Sequence, residues 1–123
     1  MPVERINTKN AVFDIFSDWS IQPRDRKPGP PERVDGMTVG LVTMRVGEPS
    51  PHNGEMHPDG DEILLVTSGM IRISYDSDPT PLDLEEGQAC IISQGEWHKI
   101  ECLEDSQFVH ITPGPHGEAR FKE

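Results

Sequence analysis

His52-Asn-Gly-Glu-Met-His57-Pro-Asp-Gly-Asp-Glu62 is the stretch on which the reading of this chain turns. Glu55 and His57 stand at i and i+2, so an extended strand points both to one side. Pro58-Asp-Gly60 supplies turn residues, and Glu62 opens the next run, Glu62-Ile-Leu-Leu-Val-Thr67. There Glu62 shares a face with Leu64 and Val66. A carboxylate on an apolar face needs a partner, which a metal ion or an arginine can supply. Further along, Gly95-Glu-Trp-His98 is a turn that delivers a histidine to the start of a strand, where its face-mates are Ile100 and Cys102. Two histidines with one or two carboxylates at strand ends suit Fe(II), Mn(II), Ni(II) or Zn(II).

The surrounding pattern is a succession of short strands. Met37-Thr-Val-Gly-Leu-Val-Thr-Met-Arg-Val46 is rich in β-branched residues, and Ser68-Gly69 between Val66 and Met70 reads as a hairpin turn. Asp76-Ser-Asp-Pro79 turns into a strand holding Leu82 and Leu84. Ala89–Ser93, His98–Cys102 and Gln107–Thr112 follow, each introduced by turn residues. Seven or eight strands at about 8 to 12 residue spacing indicate an all-β sandwich or barrel. No segment sustains a 3.6-residue period.

Residues 1–36 are less regular. Asn10–Ser17 reads as a peripheral strand or a short helix, with Val12, Asp14 and Phe16 on one strand face. Gln22-Pro-Arg-Asp-Arg-Lys-Pro-Gly-Pro-Pro31 reads as a proline-rich loop that cannot hold a helix. The chain is expected to be one domain, with residues 1–36 wrapping a barrel formed by residues 37–123.

The two metal-ligating stretches resemble the two motifs of the cupin superfamily. The first motif has two histidines one residue apart, then a glutamate and a glycine, and His57, Glu62 and Gly69 match it with four and six intervening residues. In the second, Gly87, Gly95 and His98 fall in register. The first histidine of the motif is Glu55 here, with His52 as its rival; the motif proline is Ser93 and the final asparagine Cys102. The resemblance covers roughly residues 37 to 113 and implies a double-stranded β-helix, or jelly-roll barrel, with one divalent ion (Fe, Mn, Ni or Zn) per chain at its mouth. The implied ligands are Glu55, His57, Glu62 and His98, with His52 as the alternative to Glu55. It further implies a small-molecule substrate and chemistry of the dioxygenase, isomerase, lyase or cyclase type. The competing class is a non-catalytic module for a small ligand or metal. A homodimer built through sheet edges, with residues 10–17 as an exchanged strand, is also implied.

Other residues bound the site. Trp97 is read as packing at the rim, with a place in the pocket as its second reading. His110 alternates with Phe108 and reaches the pocket if that face is interior. Cys102 follows the His98 face inward and is read as packing, with a place in the cavity near the metal as its second reading, and His116 is expected in solvent. Cys90 and Cys102 are expected as free thiols.

Composition narrows the partners. The chain has 123 residues, 22 acidic against 11 basic, and a formal net charge of −11. Such a surface repels phosphate backbones and anionic lipid, so nucleic acid and membrane are not expected partners. No apolar run approaches the ~20 residues of a bilayer span, and Met1–Asn7 lacks a signal-peptide pattern. A cytoplasmic location is expected.

Overall fold

The structure, a computed structural model, describes residues 2–28, 31–49 and 52–121. Gly29 and Pro30 of the proline-rich stretch lie outside these residues. Eleven strands form among the described residues: β1 (Ala11–Phe16), β2 (Ile21–Asp25), β3 (Gly36–Met44), β4 (Glu55–Met56), β5 (Glu62–Ser68), β6 (Met70–Tyr75), β7 (Asp78–Glu85), β8 (Ala89–Ile92), β9 (His98–Cys102), β10 (Ser106–Gly114) and β11 (Glu118–Ala119). They make two antiparallel sheets, one ordered β2-β1-β3-β10-β5-β8 and the other β11-β4-β9-β6-β7. From β3 onward the chain changes sheet at every connection except the β6–β7 hairpin. That winding is a jelly roll, and the all-β expectation holds.

Alternation along each strand explains the core. Leu64, Val66, Ile92 and Phe108 of one sheet face Ile71, Ile73 and Leu84 of the other. Burying each such side chain contributes roughly 1.5–3 kcal/mol. Glu62 precedes Leu64 by one pleat on this same inward face, so the apolar core gives way to polar groups at the starts of β5 and β9.

Two local expectations are corrected, and one alternative left open by the sequence is decided. Ser68-Gly69 is not a hairpin turn, because β5 and β6 lie in different sheets. Gly69 carries the chain across at φ +80°, and a side chain there would strike the Asp105 carbonyl and the Ser106 hydroxyl. The proline-rich loop begins as β2, which pairs with β1 from Ala11↔Asp25 to Ile15↔Ile21. Pro23 is tolerated because β2 is an edge strand, where its missing N–H removes no inner ladder bond. Residues 11–16 are a strand and not a helix, and β1 lies on its own chain's β3. Buried Asp14 is satisfied there: Arg24 donates from Nε (2.8 Å) and Nη2 (3.0 Å), and Thr38 Oγ1 donates at 2.7 Å. Cys90 and Cys102 are free and half-buried.

Candidate metal centre

Backbone pairing sets the four candidate ligands side by side. Glu55 on β4 is the direct cross-strand neighbour of His98 on β9. His57 follows β4, and its carbonyl accepts a hydrogen bond from Gly95 N (3.0 Å), which ties the first stretch to the second. Glu62 opens β5. The C-terminal segment holds the far side: β11 pairs with β4, and Arg120 N donates to the Gly54 carbonyl at 2.8 Å.

The side chains converge on one point. His98 Nε2 is 3.0 Å from Glu62 Oε1 and 3.6 Å from Glu55 Oε1. His57 Nε2 is 3.6 Å from both Glu55 Oε1 and Glu62 Oε2. One ligating atom from each of the four residues lies within 4.8 Å of the others. With metal–ligand bonds near 2.1 Å, ligands at right angles stand ~3.0 Å apart and tetrahedral ones ~3.4 Å, which is the spacing found here. His57, Glu62 and His98 are buried, and His57 Nε2, Glu62 Oε1 and His98 Nε2 have no hydrogen-bond partner among the described residues. Leaving such atoms unmet costs free energy, and a divalent ion would satisfy all three. The residues present therefore fit a metal.

Outer contacts aim the inner atoms. His98 Nδ1 lies 3.0 Å from the Glu96 carbonyl, so it carries a hydrogen, and Nε2 faces the cluster as the atom that would give its lone pair to an ion in exchange for its proton. Thr112 Oγ1 donates to Glu62 Oε2 (2.6 Å), which turns Oε1 toward the histidines. That hydroxyl has one hydrogen, so His110 Nδ1, 2.7 Å from Thr112 Oγ1, must be the donor in its turn. Burial pushes His110 down to about 4, with nearby Arg33 adding to it, and the ring is neutral at pH 7. Burial opposes charge on His98, but the carboxylates of Glu55 and Glu62 beside Nε2 outweigh it and, with no ion between them, lift the group to about 10. Burial likewise works against ionised Glu55, while His57 and His98 hold its carboxyl far below the ordinary range. The cluster strongly attracts positive charge.

The remaining candidates sort out by position. His52 stands outside the four, its Nε2 3.5 Å from Glu55 Oε2 and its Nδ1 accepting from Gly54 N at 3.1 Å. His110 does line the inner cavity, a space of about 260 Å³ walled by Leu64, Ile100 and Phe108 and bordered by Glu55 and Glu62. Its ring fits because β3 carries Gly40 opposite; a Cβ there would strike His110 Nε2. Cys102 is not at the metal end. Its thiol contacts the carbonyls of Met44 and Glu104, four residues along β9 from His98, about 13 Å at strand rise. Trp97 stays at the rim under Arg120, whose guanidinium sits 4.0 Å from the ring centroid. His116 is exposed as expected but paired, its Nδ1 2.8 Å from Asp59 Oδ1. Sequence reasoning passed over Thr112, though alternation puts it on the His110 face, and Arg33, for which no periodic signal exists.

Comparison with known proteins agrees with this geometry. The Cupin domain family matches residues 40–112. Comparison with curated proteins finds no match. A cupin superfamily protein from Desulfitobacterium hafniense is 20% identical over 69% of this chain and 71% of its own, with a TM-score of 0.54. A cupin-2 domain containing protein from Shewanella frigidimarina is 22% identical over 74% and 85%, with a TM-score of 0.51. The Fe(II) form of HppE is 16% identical over 63% of this chain, which spans only 43% of that protein, with a TM-score of 0.54. At these identities the solved structures speak to fold alone. The family match, covering more than half of the sequence, goes further: this chain belongs to the cupin family.

Proposed function

We propose that the barrel mouth is the active site of a metal-dependent enzyme acting on a small molecule, with Glu55, His57, Glu62 and His98 holding one divalent ion. The observation that carries this reading is the set of three buried, partnerless atoms, His57 Nε2, Glu62 Oε1 and His98 Nε2, directed at one point beside Glu55. Two carboxylates neutralise a divalent charge and favour Mn(II) or Fe(II) over Cu(II). Bound there, such an ion supplies Lewis acidity toward a substrate oxygen and, as Fe(II), a route to reaction with O₂.

The chain's own residues do the rest. The Glu96 carbonyl and Thr112 hydroxyl fix the ligand orientations, and Leu64, Ile100 and Phe108 shape a dry wall for the substrate's apolar part. Neutral His110 lines that cavity together with Arg33, Glu48 and His52, and it is our candidate to accept a proton, through Nε2. Elemental analysis of protein purified without chelator or affinity nickel should find about one Fe or Mn per chain, and a metal content near zero would sink the proposal. Turnover of a substrate panel with oxygen uptake would then identify a dioxygenase. Oxygen-independent turnover would identify an isomerase, lyase or cyclase. Tight ligand binding with no turnover would favour the non-catalytic module instead.

A further inference from the structure

Arg33 lies in the segment before β3, outside the stretch that matches the family, yet its side chain enters the site. It borders both the inner cavity of about 260 Å³ and an outer one of about 690 Å³, and Glu55 and His52 border both as well. Arg33 therefore stands where the mouth opens into the barrel. The backbone is pinned there by close approach to Gly114, where a Cβ would strike Arg33 Cβ. Burial draws Arg33 below its ordinary pKa, while Glu55 and Glu62 support its charge. Even so, among the described residues the guanidinium has no carboxylate within 4 Å, and its hydrogen bond, from Nη1 to the Glu32 carbonyl, is a long 3.4 Å. Guanidinium offers five donors in a fork matched to carboxylate. A half-buried guanidinium with most donors unused is a binding group awaiting an anion.

Charge decides which anion. Glu55 and Glu62 contribute −2, a divalent ion +2 and Arg33 +1, leaving one positive charge in a protein whose net charge is −11. Glu48 and Glu118, which also border the cavities, are exposed and screened by water. The balance suits a monoanion better than a dianionic phosphate. The inner cavity falls below the roughly 300 Å³ typical of drug-sized ligands, and its far wall is apolar. Resting on the metal reading above, we infer that the substrate is a short-chain carboxylic acid. Its carboxylate pairs with Arg33, a neighbouring hydroxyl or keto oxygen faces the metal position, and its alkyl end lies against Leu64, Ile100 and Phe108.

Calorimetric titration of Mn(II)-loaded protein tests this with lactate, 2-hydroxybutyrate, 2-oxobutyrate and 2-hydroxyhexanoate, each beside its uncharged amide and methylphosphonate as dianion. At least one acid should bind, with its amide at least 10-fold weaker, as loss of a charged hydrogen-bonded pair implies. Arg33→Gln should weaken that acid by about 10- to 100-fold while Mn(II) content is unchanged, and Arg33→Lys should restore part of the loss. Equal binding of the acid by Arg33→Gln with full Mn(II) content overturns the assignment of Arg33 alone. Failure of every acid to bind, or a preference for methylphosphonate, overturns the carboxylate class. Wild-type protein that takes up no Mn(II) overturns the metal reading and this inference with it.

Discussion

Replacing Glu55 by alanine removes an oxygen that stands 3.6 Å from both His57 Nε2 and His98 Nε2. Competition with a chromogenic chelator should show metal affinity falling by 10- to 100-fold or more, because even the loss of an orienting contact has an effect of about that size. His52→Ala should do much less, since His52 meets the far oxygen of Glu55 and not the convergence point. If His52→Ala strips the ion and Glu55→Ala does not, the ligand assignment is wrong. Thr112→Val should weaken metal binding by roughly 10-fold through Glu62, which it would leave free to turn. His110 gives a separate signal in stability. Its folded pKa of about 4 lies below the ordinary 6.5, so the unfolded chain takes up the proton first as pH falls. Its neutral form is fully compatible with the fold above pH 6.5, and stability is lost between 6.5 and about 4, by about 3 kcal/mol in total. Urea unfolding of chelator-treated protein should show that loss, and His110→Gln should be flatter over the same window. Equal slopes in the two proteins would contradict the buried neutral ring.

Among the elements, the strands that pack on the core were legible because alternation and burial agree: Leu64 and Val66, or Ile71 and Ile73, alternate as the two-sheet architecture requires. Glu62 and His98 could be read for the same reason, each breaking an apolar face at a strand start. What stayed hidden depended on distant pairing. β2 carries a proline and exposed side chains, so nothing local marks it, and only its ladder with β1 makes it a strand. Gly69 reads locally as a turn glycine, but the residues that demand it, Asp105 and Ser106, come much later in the chain. Cys102 shares a face with His98, which left a place near the metal as its second reading, but strand rise carries it to the other end of β9, where it packs. The β1–β2 ribbon itself rests on Asp14. Its pKa is lowered, since hydrogen bonds from Arg24 and Thr38 outweigh the burial that opposes its charge. The stabilisation is present above the ordinary Asp pKa and disappears as pH falls through the lower folded value. Asp14→Ala should lower unfolding free energy by about 2–4 kcal/mol by leaving Arg24 and Thr38 without their acceptor. A change below 0.5 kcal/mol in denaturant melts would show that the ribbon holds by backbone pairing alone.

For the whole molecule, a homodimer is our proposal. Among the described residues β8 ends the six-stranded sheet with an open edge, Ile91 on it is 70% exposed, and Leu65 on the neighbouring strand is 38% exposed. Open edges invite pairing, and a second copy is the commonest way to cover one. Light scattering should give about twice the 13.8 kDa chain mass, and a monomer at micromolar concentration would refute the assembly. The repeated change of sheet between strands carries a kinetic consequence. Glu55, Glu62 and His98 come from β4, β5 and β9, so both sheets must close before the four ligands meet. Topologies dominated by such distant contacts fold slowly, and groups that come together last contribute little to the folding barrier. Added Mn(II) should therefore leave the refolding rate nearly unchanged and slow the unfolding rate in stopped-flow jumps. The bound ion would act as a latch on the finished barrel, setting how long each molecule lasts and not how quickly it forms.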